Sequence, residues 1–386
     1  MKAVVTGVIA TYPVGGVAWD YGQYALGLEK LGFDVWYLED SGLDGYDPER
    51  NSYTDDPSYG VRFLADSLAF LSPTLADRWH HRTLDGRTAG VPADEMAEIV
   101  AEADVFLNVS GMCLMREEYL PSRRKVLLDT DPGWNHFVVY PRMDGGQLWP
   151  GTHGYRSHDW FFTYAQCLGH PGCALPSLGL PWHPTRPPVV SDAWSPRPPG
   201  ERWTTVMTWD NYGAPIEYEG ITYGSKEPQL AAIETLPGRV PACLEMAVGG
   251  VGAPVDRWRE EGWSIVDSPT VSSTAACYRN YVAGSRGELS VAKNVYVATN
   301  SGWFSCRSVC YLAAGRPVVV EDTGFSEVVP TGEGLLAFRT VDEAAAAVQS
   351  VERDYAAHQD AARSVVAAHF DSDVVLAELL DTIGAG

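Results

Sequence analysis

Residues 301–338, SGWFSCRSVCYLAAGRPVVVEDTGFSEVVPTGEGLLAF, place hydroxyls and a guanidinium just ahead of an apolar run. The order reads as loop, helix, glycine turn, buried strand, second loop and strand. Ser305, Arg307 and Ser308 fall in the first loop and the opening turn of that helix. A helix N-terminus offers unpaired N–H groups and partial positive charge, which suits an anion. Arginine in a first turn opposes the helix dipole, and a bound phosphate would neutralise it. Arginine is also the bidentate partner of phosphate. Thr323 and Gly324, in the loop after the strand, fall at the same sheet edge. The chemistry implied is phosphate binding; a surface helix with an incidental arginine is the competing reading.

A second group carries acid–base types. Leu127–Gly133 (LLDTDPG) ends a strand on two carboxylates, Asp129 and Asp131, and His136 follows. Strand-end carboxylates in α/β proteins sit where ligands bind. Asp131 or His136 could take a proton from an acceptor hydroxyl. The D-x-D spacing also suits a metal, and an Asx turn accounts for it equally. Gly15 and Gly16 follow the first strand, where small residues let backbone approach a ligand or simply make the turn. They do not form a G-x-G-x-x-G fingerprint, so dinucleotide binding is not supported. Asp20 is expected in the first turn of the next helix, either as a dipole partner or facing a cleft. Trp134, Trp182, Trp209 and Trp303, near turns, could stack on a sugar or pack in a core.

These residues need a scaffold, and the chain supplies one twice. Residues 2–10 (KAVVTGVIA) and 33–38 (FDVWYL) bracket a helical pattern, a strand–helix–strand unit of a parallel sheet. Further strands are expected near 105–109 and 126–128; the segment from 42 to 100 stays unresolved. Residues 181–200 hold seven prolines, a density that breaks helices and central strands and reads as a linker. The alternation then restarts, with strands at 204–208, 242–248, 263–266, 289–292, 317–320 and 335–338. Helices are expected at 230–236, 278–284, 308–314 and 341–370. The division is a domain over 1–185, a linker over 186–200, a second domain over 201–370, and a terminal helix over 371–386 packing back on the first. Pockets favour such domain interfaces.

The 386 residues are 45% hydrophobic and 20% charged, which excludes a disordered or collagenous chain. Fifty acidic residues against 28 lysines and arginines give a net charge of −22. Non-specific nucleic-acid binding needs the opposite balance, so no nucleic-acid partner is expected, and acidity otherwise keeps a protein dispersed. No stretch approaches a membrane span. Seven scattered cysteines without a C-x-x-C pair read as free thiols in a reducing cytoplasm, and no metal site is expected.

The segment at 313–319, AAGRPVV, with Gly324-Phe325-Ser326-Glu327-Val328-Val329 and Gly332-Glu333-Gly334-Leu335-Leu336, resembles the donor-binding half of GT-B glycosyltransferases. Those enzymes have two Rossmann-like domains facing across a cleft. The pattern GWFSxRSxCYLAAGRPVV, with YPVGGVAWDYGQY, LDTDPG and LGLPWHPTRPPV, is similar to a bacterial glycosyltransferase-like subgroup over most of the chain. The two glutamates of the retaining E-x7-E pattern fall on Gly302 and Cys310, so their roles do not carry over. The resemblance implies a nucleotide diphosphate sugar, carrying UDP or dTDP, as donor, and a small-molecule or carbohydrate acceptor. It implies no cofactor and no metal. Gly15 and Gly16 would face the donor phosphates, Lys226 would touch the pyrophosphate, and Arg286 and Glu288 would read base or ribose. Composition rich in Ala, Gly, Arg and Pro suggests a bacterial, GC-rich source, and the resemblance then implies natural-product biosynthesis as the setting. An epimerase or coupling enzyme of the same fold, and a non-catalytic nucleotide or sugar binder, are the alternatives; a homodimer is compatible with each. In an acidic protein the positive charge for a diphosphate must be local, so Arg307, Lys226, Arg286 and the helix N-terminus are expected to converge.

Overall fold

Strand β1 (Lys2–Thr6) is a run of apolar residues because both its faces are covered: Ala3, Val4 and Val5 are fully buried. The computed structural model describes residues 1–195, 197–209 and 213–386. In the N-terminal half, β1 is joined by β2 (Asp34–Glu39), β3 (Trp79–Arg82), β4 (Thr88–Gly90), β5 (Val105–Val109), β6 (Lys125–Asp129), β7 (Trp160–Thr163) and β8 (Trp182–Pro184). The order is β8-β7-β6-β5-β1-β2-β3-β4, parallel throughout except for the antiparallel β3–β4 pair. The segment the sequence left open supplies β3, β4, a short hairpin at 45–54 and helices at 58–71 and 93–102.

The C-terminal half is a parallel sheet of β9 (Arg202–Thr208), β10 (Cys243–Gly249), β11 (Ser264–Asp267), β12 (Gly287–Ser290), β13 (Val318–Glu321) and β14 (Leu335–Phe338). Its order is β11-β10-β9-β12-β13-β14. Strand order reverses between β1 and β5 in one sheet and between β9 and β12 in the other. Ligands in open α/β sheets bind beyond the carboxyl ends of strands at such reversals.

Helix α1 (Gly15–Lys30) is apolar on several sides, with Ala18, Trp19, Tyr21, Tyr24, Ala25 and Leu28 buried. A helix of that kind belongs inside. It lies between the first sheet, α2 (Ala275–Ala283) of the C-terminal half, and α4 (Ser372–Thr382); α3 (Cys306–Ala313) touches it as well. The Trp19 indole donates to the Ala275 carbonyl at 2.8 Å. Helix α4 returns to the N-terminal half: Arg124 donates to the Ile383 carbonyl at 2.9 Å, and Arg186 pairs with Glu378 at 2.8 Å.

The proline-rich stretch is packed rather than free. Trp182–Pro184 is β8, an edge strand, where proline is tolerated. Val189 and Trp194 are buried, and Val190 N–H donates to the Gln23 side chain at 2.8 Å. Pro196, within the expected linker, lies outside the described residues. No helix among the described residues is long and apolar enough to cross a membrane.

Candidate functional site

Helix α3 begins where β12 and β13 end, because Ser305 caps it: the Ser305 hydroxyl oxygen accepts the Arg307 N–H at 3.2 Å. A pocket opens at this end, lined by Ser290, Trp303, Ser305, Arg307, Ser308, Glu321 and Thr323. Five residues singled out in the sequence, Trp303, Ser305, Arg307, Ser308 and Thr323, therefore come together. The Ser308 hydroxyl is buried and has no protein partner. Thr323 Oγ1 donates to the Trp303 carbonyl at 2.5 Å. Gly324 turns the loop at φ +97°, and a Cβ there would stand 2.6 Å from the Asn300 side chain, so this position requires glycine.

Arg307 sits at the strand-order reversal. Its guanidinium donates to the Val206 carbonyl of β9 at 2.9 Å, to Ser290 of β12, and to the Glu288 carboxylate at 2.5 Å. Burial works against its charge, but Glu288 more than offsets that and raises its pKa. The sequence expectation was that phosphate would neutralise Arg307; Glu288, fully buried, does so instead. Glu288 is thus an arginine partner beneath the pocket rather than a reader of base or ribose. Its second oxygen has no protein partner.

The other cations divide. Lys226 lies beyond the end of β9, nearly buried, and donates to the Thr208 carbonyl at 2.9 Å. Arg286 precedes β12 and so lies at the opposite edge of the sheet. There it pairs with Glu352 at 2.7 Å and stacks 3.6 Å over the Tyr355 ring. The expectation that Arg286 reads the nucleotide is corrected: it lies at the amino ends of the strands. Lys293, not singled out in the sequence, stands beyond the carboxyl end of β12.

In the N-terminal half, the acid–base candidates are tied up. Asp129 is fully buried and accepts from Asn135 at 2.6 Å and Thr163 at 2.8 Å, and its carboxylate lies 3.1 Å from His136 Nε2. The other nitrogen of His136 faces the Pro176 carbonyl at 2.7 Å, and the side chain has no exposed surface. With a protein oxygen at each nitrogen and no exposed surface, His136 is out of reach of a substrate proton. Asp131 caps the next helical turn and accepts Lys293 Nζ at 2.6 Å and Tyr296 OH at 2.5 Å. Both expectations of general-base roles are therefore corrected: His136 is a buried structural tie, and Asp131 binds the two halves together.

Gly15 and Gly16 are corrected likewise. A Cβ on Gly15 would stand 2.2 Å from the Thr274 carbonyl, and one on Gly16 would stand 3.2 Å from Tyr278. These glycines let α1 press against α2; they do not border open space for phosphates. Asp20 is in the second turn of α1 rather than the first. It is half-buried at the interface beside Cys306, the first residue of α3. Burial pushes its carboxyl up to about 6, although a hydrogen bond with the Cys306 thiol pulls it back. Glu321, at the end of β13, is also raised to about 6 by burial, against hydrogen bonds from Gln229 and the Ala292 N–H.

Trp303 stacks on Tyr296 at 4.3 Å, and its indole donates to the Thr130 carbonyl at 3.0 Å. Trp182 packs on His136, and Trp209 on Trp258.

No family model matches the sequence, and no curated protein does. Solved structures match it along its length. An alpha-glucosyltransferase in complex with UDP superposes with a TM-score of 0.58 at 11% identity, covering 100% of both chains. The Anabaena protein HepE, in complex with UDP and glucose, gives 0.58 at 10% identity, again covering 100% of both. AviGT4, a glycosyltransferase involved in Avilamycin A biosynthesis, gives 0.55 at 12% identity over 99% of this chain and 96% of its own. The chain has the GT-B fold. The pocket at α3 lies within the C-terminal half; α3 itself touches α1 of the N-terminal half, where Asp20 stands beside Cys306.

Proposed function

We propose that the protein is a glycosyltransferase that moves a sugar from a nucleotide diphosphate sugar to a hydroxyl of a small or medium-sized acceptor. The observation that carries this reading is the pocket at the N-terminus of α3. There a capped helix end and an unpartnered buried Ser308 hydroxyl lie beyond the carboxyl ends of β12 and β13, next to the Arg307–Glu288 pair. Such donors suit the charge that develops on a departing diphosphate, and they work without a metal. The glycosyl C–O bond to the phosphate breaks, a bond to the acceptor oxygen forms, and the acceptor proton goes to a base. Asp20 fits that role best among the sequence candidates. It faces the start of α3, and a carboxyl pushed up to about 6 is closer to operating pH than an ordinary one. Similarity in fold to structures named as glycosyltransferases and holding UDP supports the same reading.

The test is ligand binding followed by turnover. UDP, GDP and dTDP are added at millimolar concentration during thermal unfolding. At least one should raise Tm, since a ligand that binds only the native state stabilises it. No shift with any of them would overturn the donor site. With the matching radiolabelled nucleotide sugar, slow release of free nucleotide is expected even without the acceptor.

A further inference from the structure

Residues 165–174 leave β7 and dock on the C-terminal half. The Cys167 N–H donates to the Ser301 carbonyl at 3.0 Å, and the Ala174 N–H to the Thr299 carbonyl at 2.9 Å. Between these anchors the chain makes tight turns, with the His170 N–H on the Cys167 carbonyl at 2.9 Å and the Cys173 N–H on the His170 carbonyl at 3.2 Å. The turns carry the Cys167 thiol and the His170 imidazole to the same place. Glu327 arrives from the other half, on the short helical turn after Gly324. Asp322 holds that turn by accepting the Gly324 N–H at 2.9 Å and the Ser326 hydroxyl at 2.7 Å. The thiol sulfur, an imidazole nitrogen and a carboxylate oxygen lie within 4.8 Å of one another.

We infer that Cys167, His170 and Glu327 form a binding site for a divalent transition-metal ion of the zinc class, a clasp that joins the donor-side loop to the N-terminal half. The donor set is what zinc takes, and its fourth position is left to water. Ligand atoms around a tetrahedral zinc stand about 3.3–3.8 Å apart, so only a small contraction is needed. His170 and Glu327 are exposed at the surface, while Cys167 is buried and its backbone N–H is tied to the Ser301 carbonyl. A second feature matches metal sites in general: a supporting residue orients the carboxylate, here Asn300, whose amide donates to Glu327 at 3.3 Å. Without metal, the Cys167 thiol points at the Gly324 carbonyl, 3.5 Å away. On binding, the metal replaces the thiol proton, which passes to the solvent. None of the three ligands lines the α3 pocket, so metal binding is tested independently of the proposed reaction.

The test uses the full chain after chelator treatment and dialysis, with zinc or cobalt(II) added alone. One equivalent should bind at micromolar concentration, with release of a proton. The cobalt form should show a thiolate-to-metal charge-transfer band. Cys167→Ser should abolish that band. Glu327→Gln and His170→Gln, both at exposed positions, should each weaken zinc binding by about tenfold or more. No stoichiometric binding, or cobalt binding without a thiolate band, would overturn the site. Unchanged affinity in both exposed-residue variants would overturn it too.

Discussion

Beyond β6 in the N-terminal half, Asp129, Asp131 and His136 all have protein partners; beyond β12 and β13 in the C-terminal half, Ser308 has none. The first edge spends its polar groups on cohesion. The second leaves the Ser308 hydroxyl without a protein partner where a helix capped by Ser305 begins beside a pocket. Residue type does not separate the two edges, since strand-end aspartates and helix-start serines both look functional in a sequence. What separates them is whether the partners already lie within the protein. Asp20 is the exception on the N-terminal side, a half-buried carboxyl aimed across the interface.

The largest expected effect probes that exception. Asp20→Asn should cut turnover by about 10²–10⁴-fold while leaving nucleotide affinity unchanged, measured by steady-state kinetics and titration calorimetry. The rise in the pH–rate profile near 6 should disappear with it. The same carboxyl also sets a stability trend. Its folded pKa lies above 3.8, so ionisation disfavours the folded state. Wild-type stability from this group should fall as pH rises from 3.8 through about 6 and then level off. Relative to that, Asp20→Asn should gain up to about 2–3 kcal/mol above that window, read from urea midpoints. A variant with full activity would leave the N-terminal edge purely structural.

Asp129→Ala should act on the fold instead. It strands the buried His136 and its donors, and should lower unfolding free energy by about 3–5 kcal/mol. Nucleotide affinity of the folded fraction should not change. If the variant stays stable but inactive, the contrast between the edges fails. Ser308→Ala should do the reverse. Losing a hydrogen bond to a charged phosphate should weaken nucleotide diphosphate binding by about 1.5–3 kcal/mol, with no loss of stability because the hydroxyl has no protein partner. Arg307→Ala is a poorer probe, since it also leaves Glu288 buried and unpaired. The smallest effect is expected for Arg286→Ala: unchanged nucleotide affinity and a loss of about 1 kcal/mol or less in stability.

The elements of the C-terminal half were legible because parallel strands there are short apolar runs bounded by glycine and proline. The helix read at 308–314 is observed at Cys306–Ala313, and the strand read at 317–320 at Val318–Glu321. The Ser305–Ser308 cluster and Thr323 were legible for the same reason, since helix starts and strand ends are local features. What lay beyond reach was tertiary. Nothing near Arg307 in the chain announces that Glu288 will neutralise it. Gly15 reads as a ligand turn until Thr274 is seen against it. The short hairpins between 42 and 100 have too few residues for periodicity to register. Cys167 and His170 lie three residues apart in the chain, but Glu327 joins them only through the fold.

Two stretches carry the chain between the halves, and they are bonded to each other. The Val189 N–H donates to the Phe370 carbonyl at 2.8 Å, and the Ser372 N–H to the Val189 carbonyl at 2.9 Å. A single crossing would let one half swivel freely about it. Two crossings fastened side by side, like the two leaves of a door hinge, would resist twisting of one half against the other. Each cycle of substrate binding and release would therefore return α1 and α3 to the same alignment without either needing to find it by search.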